Sequence, residues 1–151
     1  MPARLHHTSF TVSDVDAAER FFVDNFGMVR LGGGLYDFEY IRQIVGYPDA
    51  KLKISVLGFP DAAGQSHRLE LIEYLAPTGE PVDTATCRPG AAHLCLEVDD
   101  IQAVYARLKA QGVRFTSAPV QVTQGINAGA RAVYFKGPSD IALELFQLPS
   151  R

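Results

Sequence analysis

The stretch HLCLEVDD, residues 93–100, repeats the pattern of an earlier stretch, HTSFTVSD, residues 7–14. In both stretches a histidine lies five residues before a valine and seven before an aspartate. Both continue into a segment with apolar residues at helical spacing, which ends at Gly27 in the first copy and at Gly112 in the second. Self-similarity of this kind indicates that the chain contains one structural unit twice.

Each copy predicts a strand followed by a helix, because alternating apolar residues give way to apolar residues at helical spacing. Ser13 and Asp99 are suitable residues to cap the two helices. The copies also end alike, with RLELIEYLAP at 68–77 and IALELFQLP at 141–149. Further strands are predicted between these landmarks, at residues 51–59, 113–120 and 131–136. Each half is therefore expected to be roughly β-α-β-β-β.

These elements predict an α+β fold in which two βαβββ modules form a curled, half-barrel mixed sheet with the helices on its outside. The first module is assigned to residues 1–77 and the second to residues 91–151. A segment rich in Pro, Gly and Thr, residues 78–90, separates them and is predicted to be a linker. The first half also carries an extra segment, residues 32–48, whose three glycines and aromatic residues suggest a mobile flap over a site. A short amphipathic surface helix over DFEYIRQIV, residues 37–45, is the alternative, and the two interpretations are compatible.

The overall composition is that of one globular domain. The chain has 151 residues, of which 47% are hydrophobic and 21% are charged, and its net charge is −3. This charge gives no reason to expect binding to nucleic acid or to an anionic membrane, and no apolar run approaches the length of about 20 residues that spans a bilayer. The N-terminus lacks a signal-peptide core, so a cytoplasmic location is expected. Two cysteines, Cys87 and Cys95, form no CxxC motif and are expected to be reduced thiols.

Strand alternation places four ionisable side chains on the sheet face that the helices do not cover. Successive side chains of a strand point to opposite faces, and the apolar residues of these strands are expected to face the helices. The residues left on the opposite face include His7, Glu70, His93 and Glu144. Two sheets that curl together would bring these four into one concavity.

A carboxylate in an apolar strand is costly unless it is paired or bound to a metal. Two imidazoles and two carboxylates suit a divalent ion such as Zn, Ni, Co, Fe or Mn. The alternative is that each glutamate forms an ion pair with an arginine or lysine at the sheet edge. The matched positions of the four residues in the two copies favour one divalent metal ion.

The two copies resemble the paired βαβββ modules of the vicinal oxygen chelate superfamily, which includes glyoxalase I, methylmalonyl-CoA epimerase, extradiol dioxygenases and bleomycin-binding proteins. The resemblance covers nearly the whole chain. It implies that the histidine heading each module and the carboxylate near each module's end bind the metal, at His7, Glu70, His93 and Glu144. This set is similar to that of bacterial glyoxalase I. The turn usually written Asp-Pro-Asp-Gly is GPSD here, residues 137–140.

The resemblance implies an isomerase, epimerase or lyase that transfers a proton next to a carbonyl of a small substrate with two chelating oxygens. A divalent ion stabilises the negative charge that develops when the proton leaves. Glu144 or Glu70 could act as the base, as is proposed for glyoxalase I. Asp49 matches the position of an acid/base glutamate in epimerase sequences, although Pro-Asp before a strand is also a routine turn.

Two other classes of protein remain open. An extradiol-type dioxygenase holds Fe(II) with two histidines and one carboxylate, so a fourth ligand argues against it. A metal-free binding protein of the bleomycin-resistance type has no need for the two histidines and two glutamates, so their presence argues against this class. The substrate pocket is predicted to contain Tyr36, Tyr40, Arg42, Tyr74, Tyr134 and Phe146. Arg42, Lys51 and Lys53 could meet an anionic substrate, and exposed strand edges predict a homodimer.

Overall fold

The computed structural model describes residues 3–60 and 67–149 and divides the chain into two compact units, Met1–Pro81 and Val82–Arg151. Each unit contains one four-stranded mixed sheet. The order of elements in each unit confirms the predicted α+β fold with two βαβββ modules. Within the described part of the chain, no helix has the length and apolar character needed to cross a membrane.

The first unit forms its sheet in the strand order β1-β4-β3-β2, with β1 parallel to β4 and the other neighbours antiparallel. Helix α1 packs against β3 and β4 and buries Val15, Ala18 and Phe22. The elements of this unit are β1 His7–Thr11, α1 Val15–Phe26, β2 Val29–Tyr36, α2 Glu39–Val45, β3 Lys51–Gly58 and β4 Arg68–Ala76.

The second unit repeats this arrangement, with the strand order β5-β8-β7-β6 and β5 parallel to β8. Helix α3 packs against β8 and buries Ile101 and Leu108. A short 3₁₀ turn, Pro138–Asp140, leads into the last strand. The main elements are β5 Leu94–Glu97, α3 Ile101–Ala110, β6 Val120–Gln121, β7 Arg131–Lys136 and β8 Ala142–Gln147.

The first helix of each unit is anchored in the same way. Asp14 accepts a hydrogen bond from the backbone N–H of Ala17, and Asp100 accepts one from Ala103. Each cap therefore lies one residue after the predicted one, because a carboxylate reaches the N–H three residues ahead. The last strand of each unit provides a second acceptor for the start of the helix. The Glu73 carboxylate accepts a hydrogen bond from the N–H of Val15, and the side-chain oxygen of Gln147 accepts one from the N–H of Ile101, both at 3.0 Å.

The glycine-rich segment contains part of a strand and a short helix. Its three glycines lie within strand β2, which pairs with β3, and the alternative of a short helix is confirmed as α2. Gly33 has a φ of +119°, and a Cβ there would lie 2.1 Å from the carbonyl oxygen of Ile54. Glycine is required at this position because β2 and β3 approach each other too closely for a side chain.

The strand predicted at residues 113–120 is largely wrong. Only Val120 and Gln121 form strand β6, and Phe115 makes a single isolated bridge to Phe135. Pro119 immediately precedes β6 and has no backbone N–H to donate to a ladder. The segment therefore meets β7 at two separate places, around Phe115, where the N–H of Thr116 donates to the carbonyl oxygen of Tyr134, and at β6.

Candidate functional site

In the first unit, the structure brings His7 and Glu70 together on one face of the sheet. His7 begins β1, and Glu70 lies in β4 opposite Ser9. The Nε2 atom of His7 is 3.7 Å from Oε2 of Glu70, and the Ser9 hydroxyl donates a hydrogen bond of 2.7 Å to the same oxygen. Leu69 and Leu71 point to the opposite face and are buried, as strand alternation predicts.

The second unit repeats this pair with His93 and Glu144. Glu144 lies in β8 opposite Cys95, and His93 immediately precedes β5. The Nε2 atom of His93 is 3.2 Å from Oε2 of Glu144. The hydroxyl of Tyr134, which lies opposite Glu144 on β7, is 3.3 Å from the same nitrogen. The rings of Tyr134 and His93 meet edge to face with centroids 4.9 Å apart.

The two pairs occupy equivalent positions in the two sheets. In each sheet, the glutamate pairs with the residue two positions after the histidine. This residue is Ser9 in the first unit and Cys95 in the second. Two donors at about 2.1 Å from one ion, separated by about 90–109°, lie about 3.0–3.4 Å apart. The distance in the second unit, 3.2 Å, fits this geometry, and that in the first, 3.7 Å, is slightly wider.

Each unit therefore supplies one imidazole and one carboxylate, which are donor types that bind divalent metal ions. Among residues 3–60 and 67–149, no three His, Cys, Asp or Glu side chains form a group that could hold a metal ion. A two-donor pair alone is an incomplete first coordination shell for the metals that this donor set favours. Such an ion needs ligands beyond one pair.

The thiol of Cys95 remains protonated beside Glu144. Although the residue as a whole is exposed, partial burial of its sulfur raises the pKa of Cys95 to about 12, and the negative charge and hydrogen bond of Glu144 add to this rise. A thiol must be ionised to act as a nucleophile or as a strong metal ligand. In the metal-free protein, Cys95 is therefore a neutral hydrogen-bonding neighbour of Glu144 at physiological pH.

The phenol of Tyr134 is likewise held in its neutral form. Burial raises the pKa of this hydroxyl, and the nearby Glu144 and Cys95 raise it further. A neutral phenol keeps its proton and can donate a hydrogen bond to an electron-rich atom. Tyr134 is thus a hydrogen-bond donor close to His93.

Two predicted pocket residues of the first unit lie on the face that carries Glu70 but pack into a hydrophobic cluster. Tyr36 and Tyr74 contact the buried cluster formed by Ile41, Leu52 and Ile54, over which α2 lies. The ring of Tyr74 also meets that of Tyr47 edge to face, with centroids 6.1 Å apart. Burial raises the pKa of Tyr74. These tyrosines therefore line the apolar part of this face.

The remaining predicted residues of the first unit are more exposed. The ring of Tyr40 stacks on Phe38, with centroids 5.8 Å apart, and half of the Tyr40 surface is exposed. Arg42 forms ion pairs with Asp37 and with Glu39. The guanidinium charge is thus already compensated by two carboxylates.

Asp49 lies in an exposed turn that leads into β3. Val56 is the residue of β3 that pairs with Glu70, and it follows Asp49 by seven residues. At about 3.3 Å per residue, this separation corresponds to roughly 23 Å of strand. The structure does not bring Asp49 to the His7–Glu70 pair.

In the second unit, Phe146 lies on the same face as Glu144, two residues further along β8. Three further residues lie on the sheet faces that carry the glutamates: Ser9, Cys95 and Lys136. Strand alternation places the side chains of Ser9 and Cys95 on the same sheet face as the histidines. Their position next to the glutamates depends on which strands pair, and alternation does not show that. Lys136 could have been found because it follows Tyr134 by two residues in the same strand.

Comparison with known proteins gives a consistent result. The Glyoxalase/Bleomycin resistance protein/Dioxygenase superfamily matches residues 6–135. A protein of Actinomyces sp. named 2-epi-5-epi-valiolone epimerase is 33% identical over 153 residues, which cover 97% of this chain and 80% of that protein.

Solved structures of similar fold come from several organisms. A glyoxalase family protein from Bacillus cereus superimposes with a TM-score of 0.80 at 24% identity, covering 99% of this chain and 97% of that one. The trypanothione-dependent glyoxalase I of Leishmania major gives a TM-score of 0.67 at 20% identity, covering 97% and 87% of the two chains. These similarities show a shared fold.

Proposed function

The chain belongs to the Glyoxalase/Bleomycin resistance protein/Dioxygenase superfamily, and we propose that it is a metal-dependent enzyme that transfers a proton next to a carbonyl group. Within this class we propose an epimerase or a related isomerase or lyase. The relative named as an epimerase, at 33% identity, supports the epimerase reaction. The observation that carries the proposal is the His–Glu pair, repeated in register in both sheets.

The proposed metal ligands are His7, Glu70, His93 and Glu144, contributed by two modules of one chain or of two chains. The donor set favours Zn, Ni, Co, Fe or Mn. When bound, the ion would stabilise the negative charge that develops on a carbonyl oxygen as the neighbouring carbon loses its proton. A substrate with two adjacent oxygens would suit the coordination positions that four protein ligands leave on an octahedral ion.

The chain's own residues would move the proton. Glu70 and Glu144 are half-buried carboxylates on the candidate face, whereas Asp49 lies in a distant turn of the first unit. Glu70 lies farther from its histidine than Glu144 does, at 3.7 Å against 3.2 Å, so it is the carboxylate less closely paired with an imidazole. We therefore favour Glu70 as the base, with Glu144 as the alternative. Tyr134 would donate a hydrogen bond to a substrate oxygen.

The test is a screen for exchange of substrate hydrogen with solvent deuterium. Candidate substrates are 2-oxo acids, acyl-CoA thioesters, hemithioacetals and 2-epi-5-epi-valiolone, the compound in the relative's name. The wild-type protein, reloaded with each metal, is expected to catalyse exchange with at least one of them. Glu70→Gln, assayed with excess metal so that the site stays occupied, should still reduce the exchange rate by about 10²–10⁴-fold, the usual contribution of a general base.

The matched variants separate metal binding from proton transfer. His7→Ala and His93→Ala should lower metal occupancy, and excess metal should restore part of the exchange. His67→Ala changes a histidine that binds Thr8 rather than a glutamate and should alter neither property. Exchange that persists in Glu70→Gln but disappears in Glu144→Gln would assign the base to Glu144. Oxygen consumption without exchange would place the protein among the dioxygenases instead.

Assembly and location are further parts of the proposal. The homodimer predicted from exposed strand edges stays a prediction, and light scattering at tens of micromolar protein tests it. A monomer under those conditions would require both proposed pairs to come from one chain. The cytoplasmic location also stays a prediction.

A further inference from the structure

The basic residues that the sequence suggested for binding an anion are already paired with carboxylates. Arg42 pairs with Asp37, which also pairs with Lys51 at 3.2 Å. Lys53 pairs with Asp16 of α1 at 2.5 Å. Their charges are compensated within the first unit, so they are poor candidates for binding a charged substrate group.

A different cation lies on the candidate face of the second unit. Lys136 follows Tyr134 by two residues in β7, so both side chains leave the same face of the sheet. The two residues are about 6.6–6.8 Å apart along the strand. Lys136 pairs with Ala142, which precedes Glu144 by two residues in β8. The Lys136 side chain therefore lies on the same sheet face as Tyr134 and Glu144, two residues further along β7.

Neutral oxygens hold the ammonium of Lys136 in place. Its Nζ donates to the carbonyl oxygen of Thr84 at 3.1 Å and to the Thr84 hydroxyl at 2.6 Å. That hydroxyl in turn donates to the carbonyl oxygen of Asp140 at 2.6 Å. Within residues 3–60 and 67–149, no carboxylate lies within 4.0 Å of the Lys136 ammonium.

This arrangement leaves a positioned charge without a counter-ion in the described part of the chain. An ammonium group has three N–H donors, and Thr84 accepts two of them. A half-buried cation is stabilised most by an anionic acceptor, because charge-assisted hydrogen bonds are stronger than neutral ones. We propose that Lys136 binds a carboxylate that the substrate carries a few bonds away from its reacting carbonyl. The inference rests on the proposed function, and it specifies the substrate as an anion.

The experiment compares two ligands that differ only in this remote group. 2-Oxoglutarate and its 5-methyl ester share the same 2-oxo carboxylate, so a metal would chelate both in the same way. Their dissociation constants are measured by calorimetry on the protein as purified. Wild-type protein should bind 2-oxoglutarate at least about tenfold more tightly than the ester, and Lys136→Met should bind the two within about twofold. Lys136→Arg keeps the charge and should keep the preference.

Two control variants distinguish ligand binding from a structural role of Lys136. Lys51→Met removes a lysine that is paired with Asp37 and should leave the preference unchanged. Thr84→Val removes one acceptor of the ammonium but keeps the cation, so the preference should persist. If Lys136 only anchors residue 84, Thr84→Val and Lys136→Met should act alike, and that result overturns the inference.

Two other results also overturn it. One is a wild-type protein that does not prefer 2-oxoglutarate, including one that binds neither ligand. The other is a Lys136→Met variant that retains the preference although its circular dichroism shows a folded protein. If the proposed proton transfer is wrong, deuterium exchange will be absent. The ratio of the dissociation constants of 2-oxoglutarate and its ester can still be measured in that case.

Discussion

Glu144→Gln is expected to make the thiol of Cys95 more reactive. Alkylation requires the thiolate, and the negative charge of Glu144 disfavours a second negative charge beside it. With a pKa of about 12, only about one Cys95 thiol in ten thousand is ionised at pH 8, against about one in ten at the ordinary value of 9.0. Burial is the first cause of the high pKa and persists in the variant, so the recovery is expected to be partial.

The magnitude follows from the two contributions of Glu144, its charge and its hydrogen bond. If the pKa of Cys95 falls by about one, the thiolate fraction rises about tenfold. A thiolate with a lower pKa is also a weaker nucleophile, so the rate of alkylation rises only about threefold. The expected acceleration is therefore about threefold or more. Wild-type reactivity should itself rise with pH throughout the range from 8 to 10, since the thiol is far from fully ionised there.

The assay uses iodoacetamide and mass spectrometry on a Cys87→Ser background, so that only Cys95 reacts. The protein is first treated with a chelator, because a cation beside Glu144 would itself favour the thiolate. Glu97→Gln is the matched control, since Glu97 is a neighbouring carboxylate with a smaller influence on the pKa of Cys95. If Glu144→Gln reacts no faster than wild type, or no faster than Glu97→Gln, the described contact between Glu144 and Cys95 is wrong.

Two further predictions concern the sheet that supports the first pair, and urea denaturation measures both. Gly33→Ala should lower the free energy of unfolding by about 2–4 kcal/mol, because φ is +119° and the new Cβ would lie 2.1 Å from the carbonyl oxygen of Ile54. In the control Gly32→Ala, the new Cβ meets no atom within 4 Å, so the free energy of unfolding should change by less than about 1 kcal/mol. Equal losses of stability in the two variants would contradict the described pairing of β2 with β3. Ser55→Ala should be neutral or stabilising by about 1 kcal/mol, because the Ser55 hydroxyl is buried and has no hydrogen-bond partner among the described residues; a clear loss would reveal a partner that the structure lacks.

The elements that the sequence predicted well are those with a strong local signal. The His–Glu pairs could be found because strand alternation has a strict period of two and because the pattern occurs twice. Neither signal depends on knowing which strands are neighbours. The same alternation placed Leu69 and Leu71 in the core and Glu70 on the opposite face, as the structure confirms.

The errors arise where distant parts of the chain decide the structure. The glycines of β2 are unfavourable in an isolated strand, and they are strand residues here because β3 approaches them closely. The partner of Lys53 is Asp16, which lies 37 residues earlier in the chain and cannot be identified from local sequence. The position of the Lys136 ammonium likewise depends on a distant residue, since its acceptor, Thr84, lies 52 residues earlier in the chain.

The stoichiometry of metal binding tests the central claim most directly. Protein purified without chelator and reloaded with zinc or nickel is analysed by inductively coupled plasma mass spectrometry, alongside variants of each proposed ligand and the His67→Ala control. We expect one ion per chain in the wild type and in His67→Ala, and a marked loss in His7→Ala, Glu70→Gln, His93→Ala and Glu144→Gln. Two ions per chain, with each variant losing only one, would show that the pairs act separately. Metal content unchanged in the four variants would contradict the proposed centre altogether.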